Sequence, residues 1–355
     1  MLINLLKRID RDRFDCSVFS LIGSGKLTRE IQVAGFEATT LSLRYPFQIM
    51  KILKLLRMLK RGNFHLIQTY GLRADTMGRI LGKAAGIPVI VSSIRSPDPW
   101  RKWYHSAIDR LTLPLVDYFI SNSEAGRQSR IRREKYPPDL IKVVHNGIEL
   151  PPSYSENEKK TLRNKFEISE KDNPVIAIVA NLRVMKGHRD VIDALPELLK
   201  TLPDITFLFA GRDDSSGAIE KYAEQKGVAD SIRFPGHVKE PSEILSVSDI
   251  YLHPSHWEGC PTALLEAMAA GLPCIACRTG GIPEIIEDEK NGLLIPPKSP
   301  TTISDSIRRL CRDEKLRRGL SSNAVASIRD HHSLRQMVKE YENAYQALLY
   351  NISQK

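Results

Sequence analysis

Cysteine is scarce in this chain: five in 355 residues, an odd and scattered set that argues against a disulfide framework and for a reducing compartment. Cys274 and Cys277 form a lone CxxC inside an expected strand, with no second pair and no nearby His, and read as small core residues rather than metal ligands. Long apolar runs are missing too; none approaches the roughly 20 residues that a membrane span requires. The opening Met1–Phe14 stretch is too short and too charged to be expected to act as a secretory signal. No Asp-x-Asp stands in a loop suited to a divalent ion, Asp213-Asp214 being the nearest approach. No Ser-His-Asp or Cys-His nucleophile is evident, and there is no zinc-ligand set, no aromatic-and-basic RNA motif, no internal repeat and no low-complexity segment.

The length suits two domains of ordinary size. The net charge of +10 is uneven. Residues 1–150 hold 25 Lys and Arg against 13 Asp and Glu, a net +12, so the remainder carries −2. A basic half suggests that one domain faces something anionic, such as a membrane surface, a lipid phosphate or nucleic acid. Expected helices and strands alternate throughout: helices over 1–9, 26–34, 46–61, 73–85, 100–115 and 124–135 are separated by strands over 14–21, 36–43, 65–70, 89–94, 118–123 and 141–145. Such alternation predicts a parallel sheet with helices on both faces. Helix 46–61 sets Ile52, Leu55, Leu56 and Leu59 against Lys51, Lys54, Arg57, Lys60 and Arg61. That pattern fits either an ordinary solvated cationic face or a contact with anionic headgroups, and Arg127, Arg130, Arg132 and Arg133 add a second basic patch with the same two readings. A polar stretch from Pro151 to Pro174 reads as a linker and lead-in helix, followed by strand 175–182 running into Arg183-Val184-Met185-Lys186-Gly187.

The most informative stretch is HWEGCPTALLEAMAAGLPCIACRTGGIPEII, from His256 to Ile286. It reads as strand, loop, helix and strand, with the loop at the carboxyl end of its strand, where open α/β sheets bind ligands. Thr262 is the expected N-cap of an Ala-, Leu- and Met-rich helix whose amides and dipole would face phosphate. Glu258 on the loop and Glu266 in the helix offer two carboxylates with the hydrogen-bonding geometry that vicinal hydroxyls need. The alternative is an acid complementing the helix dipole plus one solvated Glu. A strand running into Lys186-Gly187 and a further helix is a second phosphate-compatible turn, the ammonium acting as a point charge.

Glu-Gly-x-Pro, then Leu-Leu-Glu-Ala-Met-Ala-x-Gly-x-Pro, then Gly-Gly-x-x-Glu, together with Lys186-Gly187, resembles the nucleotide-sugar site of retaining glycosyltransferases of family 4. The resemblance covers nearly the whole chain. It implies an α/β, GT-B fold, two Rossmann-like doubly wound domains facing each other across a cleft: residues 1–152 on the acceptor side, 153–330 on the nucleotide-sugar side, and a helix over 331–355 crossing back to the first domain. It implies transfer of a sugar from a nucleotide-diphosphate sugar to a glycan or lipid-linked acceptor with retention, in cell-surface polysaccharide or glycolipid synthesis, without a metal or other cofactor. The donor set carried over is Asn181, Arg183, Lys186, Gly236, Glu258, Gly259, Cys260, Pro261, Thr262, Ala263 and Glu266. Lys186 and the amides from Cys260 to Ala263 would stabilise the leaving phosphate, Glu266 would hold the ribose and Glu258 the donor sugar; the departing phosphate would take the acceptor proton. The expected setting is the cytoplasm, peripheral on the inner face of the membrane, with no nucleic-acid partner.

Three departures from the family pattern stand out. A first strand and its Gly-Gly turn are expected to be missing, which would leave a central gap with unpaired backbone groups on both sides. Asn181 stands where the family often has Arg, and Ile94-Arg95 where it often has His. Competing readings are a nucleotide-sugar epimerase or phosphorylase, a non-catalytic relative, and a basic nucleic-acid-binding protein.

Overall fold

The structure, a computed structural model, describes residues 1–23, 25–43, 45, 47–98 and 100–353. The chain divides into two compact units, Met1–Gly147 with Leu334–Lys355, and Ile148–Ser333. The first boundary falls earlier than the linker composition suggests because Ile148 is tied into the second unit: its N–H donates to the His332 carbonyl at 3.0 Å.

The first unit alternates helix and strand as its pattern predicts: α1 (Leu2–Arg8), β1 (Ser17–Ser20), α2 (Lys26–Val33), β2 (Glu37–Thr40), α3 (Ile49–Arg61), β3 (Leu66–Tyr70), α4 (Leu72–Ala85), β4 (Val89–Ile94), α5 (Trp103–Thr112), β5 (Tyr118–Ser121), α6 (Glu124–Glu134) and β6 (Ile141–Val143). Pro46, where the sequence starts the third helix, lies outside the described residues. The fifth helix is shorter than expected and gives way to a 3-10 turn at Leu113–Leu115, where Pro114 cannot donate to the helix.

All pairings are parallel, in two separate sheets: β1 with β2, and β3-β4-β5-β6 in that order. Among the described residues no strand is hydrogen-bonded between the two sheets. Side chains join them instead, with the Phe19 and Phe64 rings meeting edge-on at 5.8 Å. Val89 and Val91 pack on α1 and on the C-terminal helix Leu334–Ser353, while Ile90 and Ile67 point the other way, onto α4 at Gly82. Tyr345 of the C-terminal helix donates to Gln68 on β3.

The second unit comprises α7 (Glu156–Lys165), β7 (Val175–Val179), α8 (His188–Leu199), β8 (Thr206–Ala210), α9 (Ala218–Gln225), β9 (Ile232–Gly236), α10 (Pro241–Ser246), β10 (Ile250–His253), α11 (Thr262–Ala269), β11 (Cys274–Cys277), β12 (Leu293–Ile295), α12 (Pro300–Arg312) and α13 (Glu314–His331). Its six parallel strands run β12-β11-β10-β7-β8-β9. Strands β7, β8 and β10 are apolar almost throughout and buried on both faces, as covered parallel strands are. The chain winds outward from β7 in one direction and, from β10, in the other. The β7–β10 boundary is therefore the switch point, and open α/β sheets bind ligands at the carboxyl ends of the strands there.

Candidate functional site

Lys186 follows β7 and Glu258 follows β10, so the two neighbouring strands deliver their side chains to the same switch point. There Lys186 Nζ and Glu258 Oε1 form an ion pair. Three close backbone contacts fix the loops that carry them. Gly187 adopts φ +73°, and a Cβ there would lie 2.1 Å from the Pro254 carbonyl oxygen. The His256 N–H donates to the Met185 carbonyl at 2.8 Å. Gly280, at φ +52°, comes so near the Glu258 carbonyl that a Cβ would sit 1.9 Å from it, while the Gly281 N–H donates to that carbonyl at 3.3 Å. Glycine is required at 187 and 280 for both backbone shape and space.

Sequence reasoning missed His253, the last residue of β10. The Tyr251 hydroxyl donates to its Nδ1 (3.1 Å), and Nε2 donates to Glu258 Oε1 (3.2 Å), the tautomer that the carboxylate acceptor dictates. Its signal was present: a His ending an otherwise apolar strand, five residues before an acid. Burial by itself would raise the Glu258 carboxyl, but the His253 hydrogen bond and the Lys186 ammonium outweigh it and hold the group down at about 2. Glu258 is thus a committed carboxylate. Two further histidines flank the site: His256 pairs with Asp190 at 2.7 Å, and His188, buried against Phe209 and beside Lys186, is kept neutral, its pKa pushed down to about 3 by burial.

Glu266 behaves oppositely. It projects from the second turn of α11, and its charge is felt by Tyr251, the residue bonded to His253. Burial, reinforced by the Glu240 carboxylate, raises its pKa to about 7. Two acids on one loop–helix unit therefore sit several pH units apart, a separation typical of sites that handle charge.

Thr262 is not the N-cap of α11. The helix starts at Thr262, and the cap position belongs to Pro261, which makes no side-chain capping bond. Proline fixes the entry geometry yet has no acceptor to offer, so the first-turn amides lack a side-chain cap, which is the state of a helix end that accepts an anion. Gly259, Cys260 and Pro261 are buried in the turn, with Cys260 packed into the core, so they contribute backbone rather than side chain.

Arg183 and Asn181 do not join Lys186. Arg183 Nε bonds Asp214 Oδ2 at 2.6 Å, Asn181 Nδ2 reaches the same oxygen at 3.3 Å, and Arg212 binds Asp214 Oδ1 at 2.6 Å. These partners hold the Asp214 carboxyl well below its usual range. Asp213 bonds the Ser215 and Gly217 amides at 2.7 Å each, so the adjacent acids are spent on turn structure and ion pairs. Gly236 ends β9 at φ +68° with open space where a Cβ would stand. Cys274 and Cys277 belong to core clusters on opposite faces of the sheet, so they cannot share a ligand; burial pushes Cys277 up to about 12.

Two doubly wound α/β units, one with a paired lysine and glutamate and an uncapped helix at its switch point, define the class: a GT-B glycosyltransferase. A family model described as Glycosyl transferases group 1 matches residues 158–326, and one described as Glycosyltransferase Family 4 matches residues 1–150. The chain belongs to these group 1, family 4-like glycosyltransferases. It is 31% identical over 213 residues to N-acetyl-alpha-D-glucosaminyl L-malate synthase of Bacillus anthracis, a match covering 60% of this chain and 55% of that protein. It is 27% identical over 339 residues to a Campylobacter jejuni N,N'-diacetylbacillosaminyl-diphospho-undecaprenol alpha-1,3-N-acetylgalactosaminyltransferase, covering 89% of this chain and 87% of that one. The match thus spans little more than half the length of the first relative and most of the second. The fold is similar to that of Anabaena HepE in complex with UDP-glucose, with a TM-score of 0.85 at 20% identity, covering 98% and 94% of the two chains. Among the described residues no helix is long and apolar enough to cross a membrane.

Proposed function

We propose that the second unit binds a nucleotide-diphosphate sugar and that the protein transfers its sugar, with retention, to a glycan or lipid-linked acceptor in cell-surface polysaccharide or glycolipid synthesis. The observation that carries this reading is the Lys186–Glu258 ion pair at the switch point, beside a helix start without a side-chain cap. Lys186 and the amides of Thr262 and Ala263 would take the diphosphate, with the ammonium leaving Glu258 for the phosphate and freeing that carboxylate for a sugar hydroxyl. Glu266 would accept the ribose hydroxyl pair. Release of the nucleoside diphosphate builds negative charge on the β-phosphate, where Lys186 opposes it. The departing phosphate oxygen would take the acceptor proton, so the reaction needs neither a protein nucleophile nor a metal. Arg183 and Asn181 would take part only by leaving Asp214. The UDP-glucose complex of the Anabaena protein and the lipid-linked acceptor in the Campylobacter protein's name support this substrate class.

The proposed setting is cytoplasmic, peripheral on the inner face of a membrane. Calorimetric titration of UDP-, GDP- and ADP-sugars into the wild-type protein and Glu266→Ala tests the site. At least one donor should bind the wild type and bind the variant more weakly; equal binding of every donor to both overturns the assignment.

A further inference from the structure

Helix α5 is turned inside out. Its Asp109 (1% exposed) and Thr112 face inward, and Ser106 donates to the buried Glu134 at 3.1 Å, while Trp103 (82% exposed), Tyr104, Ile108 and Leu111 (80% exposed) face outward. A helix on an apolar core takes the reverse orientation. Buried ions hold this one in place. Asp109 receives Arg79 and Arg101, each at 2.5 Å, and the Tyr136 hydroxyl at 2.5 Å; Arg79 also donates to Thr112 at 2.9 Å. Turning the apolar stripe inward would break those pairs and leave Arg79, itself 1% exposed, without its counter-ion.

The neighbouring helices extend the same surface. Helix α4 packs on α3 through Met77 and Leu81 and, from its opposite side, on α5 through Arg79, so the three lie side by side. At its start α3 exposes Ile49, Met50 and Leu53, preceded by Phe47 stacked on Tyr45 at 5.3 Å; its later turns expose Lys54, Arg57, Lys60 and Arg61. Arg73 and Lys83 on α4 and Arg110 on α5 are exposed as well, Lys83 pairing with Asp117 at 3.5 Å. The only acids in the three helices, Asp75 and Asp109, are both buried.

We propose that the outer face of α3, α4 and α5 docks on an anionic lipid bilayer, with Trp103, Tyr104, Leu111, Met50 and Leu53 entering the headgroup region and the lysines and arginines contacting lipid phosphates. The inference adds a named surface to the peripheral setting proposed above. Charge chooses the occupant: two copies meeting through this face would bring cations against cations, whereas an anionic leaflet complements them. Tryptophan and tyrosine beside aliphatic residues and cations are the composition of an interfacial helix face.

Flotation of the full chain with vesicles of phosphatidylcholine, with or without about 30 mol % phosphatidylglycerol, tests this. The wild type should float with the anionic vesicles alone, with a blue shift in tryptophan emission. Each cation contributes roughly a fivefold change in partitioning, so Lys54→Glu/Arg57→Glu should lose at least about 25-fold. Trp103→Ser/Leu111→Ser should lose binding too, with unchanged melting for both variants because the residues are exposed. Equal binding to both vesicle types, no binding at low ionic strength, or unchanged partitioning of the variants overturns the proposal. So does a lipid-free dimer that Leu111→Ser dissolves, which would assign the face to a second copy. Nucleotide-sugar titration of the same variants without vesicles separates this outcome from failure of the donor site.

Discussion

Replacing Gly280 by alanine should cost the protein its donor site, and a second glycine makes the effect measurable. Gly280 and Gly227 both have left-handed backbones, at φ +52° and +69°. Alanine at either carries the same local penalty, about 1–2 kcal/mol. At Gly227 nothing lies within 4 Å of the new Cβ, so the penalty stops there. At Gly280 the Cβ would meet the Glu258 carbonyl oxygen at 1.9 Å and the Glu258 nitrogen at 3.2 Å. Contacts below 3.0 Å do not persist, so the loop must shift by about 1 Å or more. An overpacking shift of this kind costs about 1–3 kcal/mol beyond the backbone term. It also carries Glu258 away from Lys186 and His253. Urea unfolding should therefore rank wild type above Gly227→Ala above Gly280→Ala, with about 1–3 kcal/mol between the variants. Calorimetric titration with the donor identified for the wild type should give unchanged affinity for Gly227→Ala and a loss of at least about tenfold for Gly280→Ala, on the scale of 1.4 kcal/mol per decade. Equal affinity of the two variants would refute the claim that the Gly280 turn positions Glu258 for ligand.

Other outcomes follow from the charges. Lys186→Ala should lower kcat by about 10²–10³ if the ammonium stabilises a leaving phosphate, measured by release of nucleoside diphosphate. Donor affinity should rise with pH. Glu266 titrates at about 7, and its ionised form alone accepts both ribose hydroxyls, so affinity should fall about tenfold from about pH 8 to about pH 6, with proton release on binding, and the pH dependence should vanish in Glu266→Gln. The folded-state pKa of Glu258, about 2, lies below its unfolded value, so its contribution to stability is present above the ordinary carboxylate range and lost as pH falls toward 2; acid titration of Glu258→Gln should lack that loss. In the first unit, Asp109→Ala leaves Arg79 buried without its carboxylate and should cost about 3–5 kcal/mol in urea unfolding.

What the sequence made legible follows from which interactions are local. Apolar blocks and glycine turns located the strands and helices that carry the site in the second unit, because covered parallel strands such as Val175–Val179 are written as unbroken apolar runs. Lys186 and Glu258, 72 positions apart, were legible as a pair because each ends a strand in a recognisable motif. Thr262 failed as a cap because a β-hydroxyl beside a helical run is only a local preference, and Pro261 already occupied the cap position. Arg183 and Asn181 enter the donor set through the resemblance alone, and no spacing reveals Asp214, 31 and 33 residues further on, which bonds both in this structure. Helix α5 shows where apolar spacing stops being a guide. That spacing alone would turn Trp103, Ile108 and Leu111 inward, yet Asp109 goes in and they stay out. Arg79, 30 residues upstream, reverses the rule, because an arginine already buried between helices gains more from a carboxylate than the core gains from a leucine. Periodicity tells which face of a helix is apolar, but the charges waiting beneath it decide which face is covered.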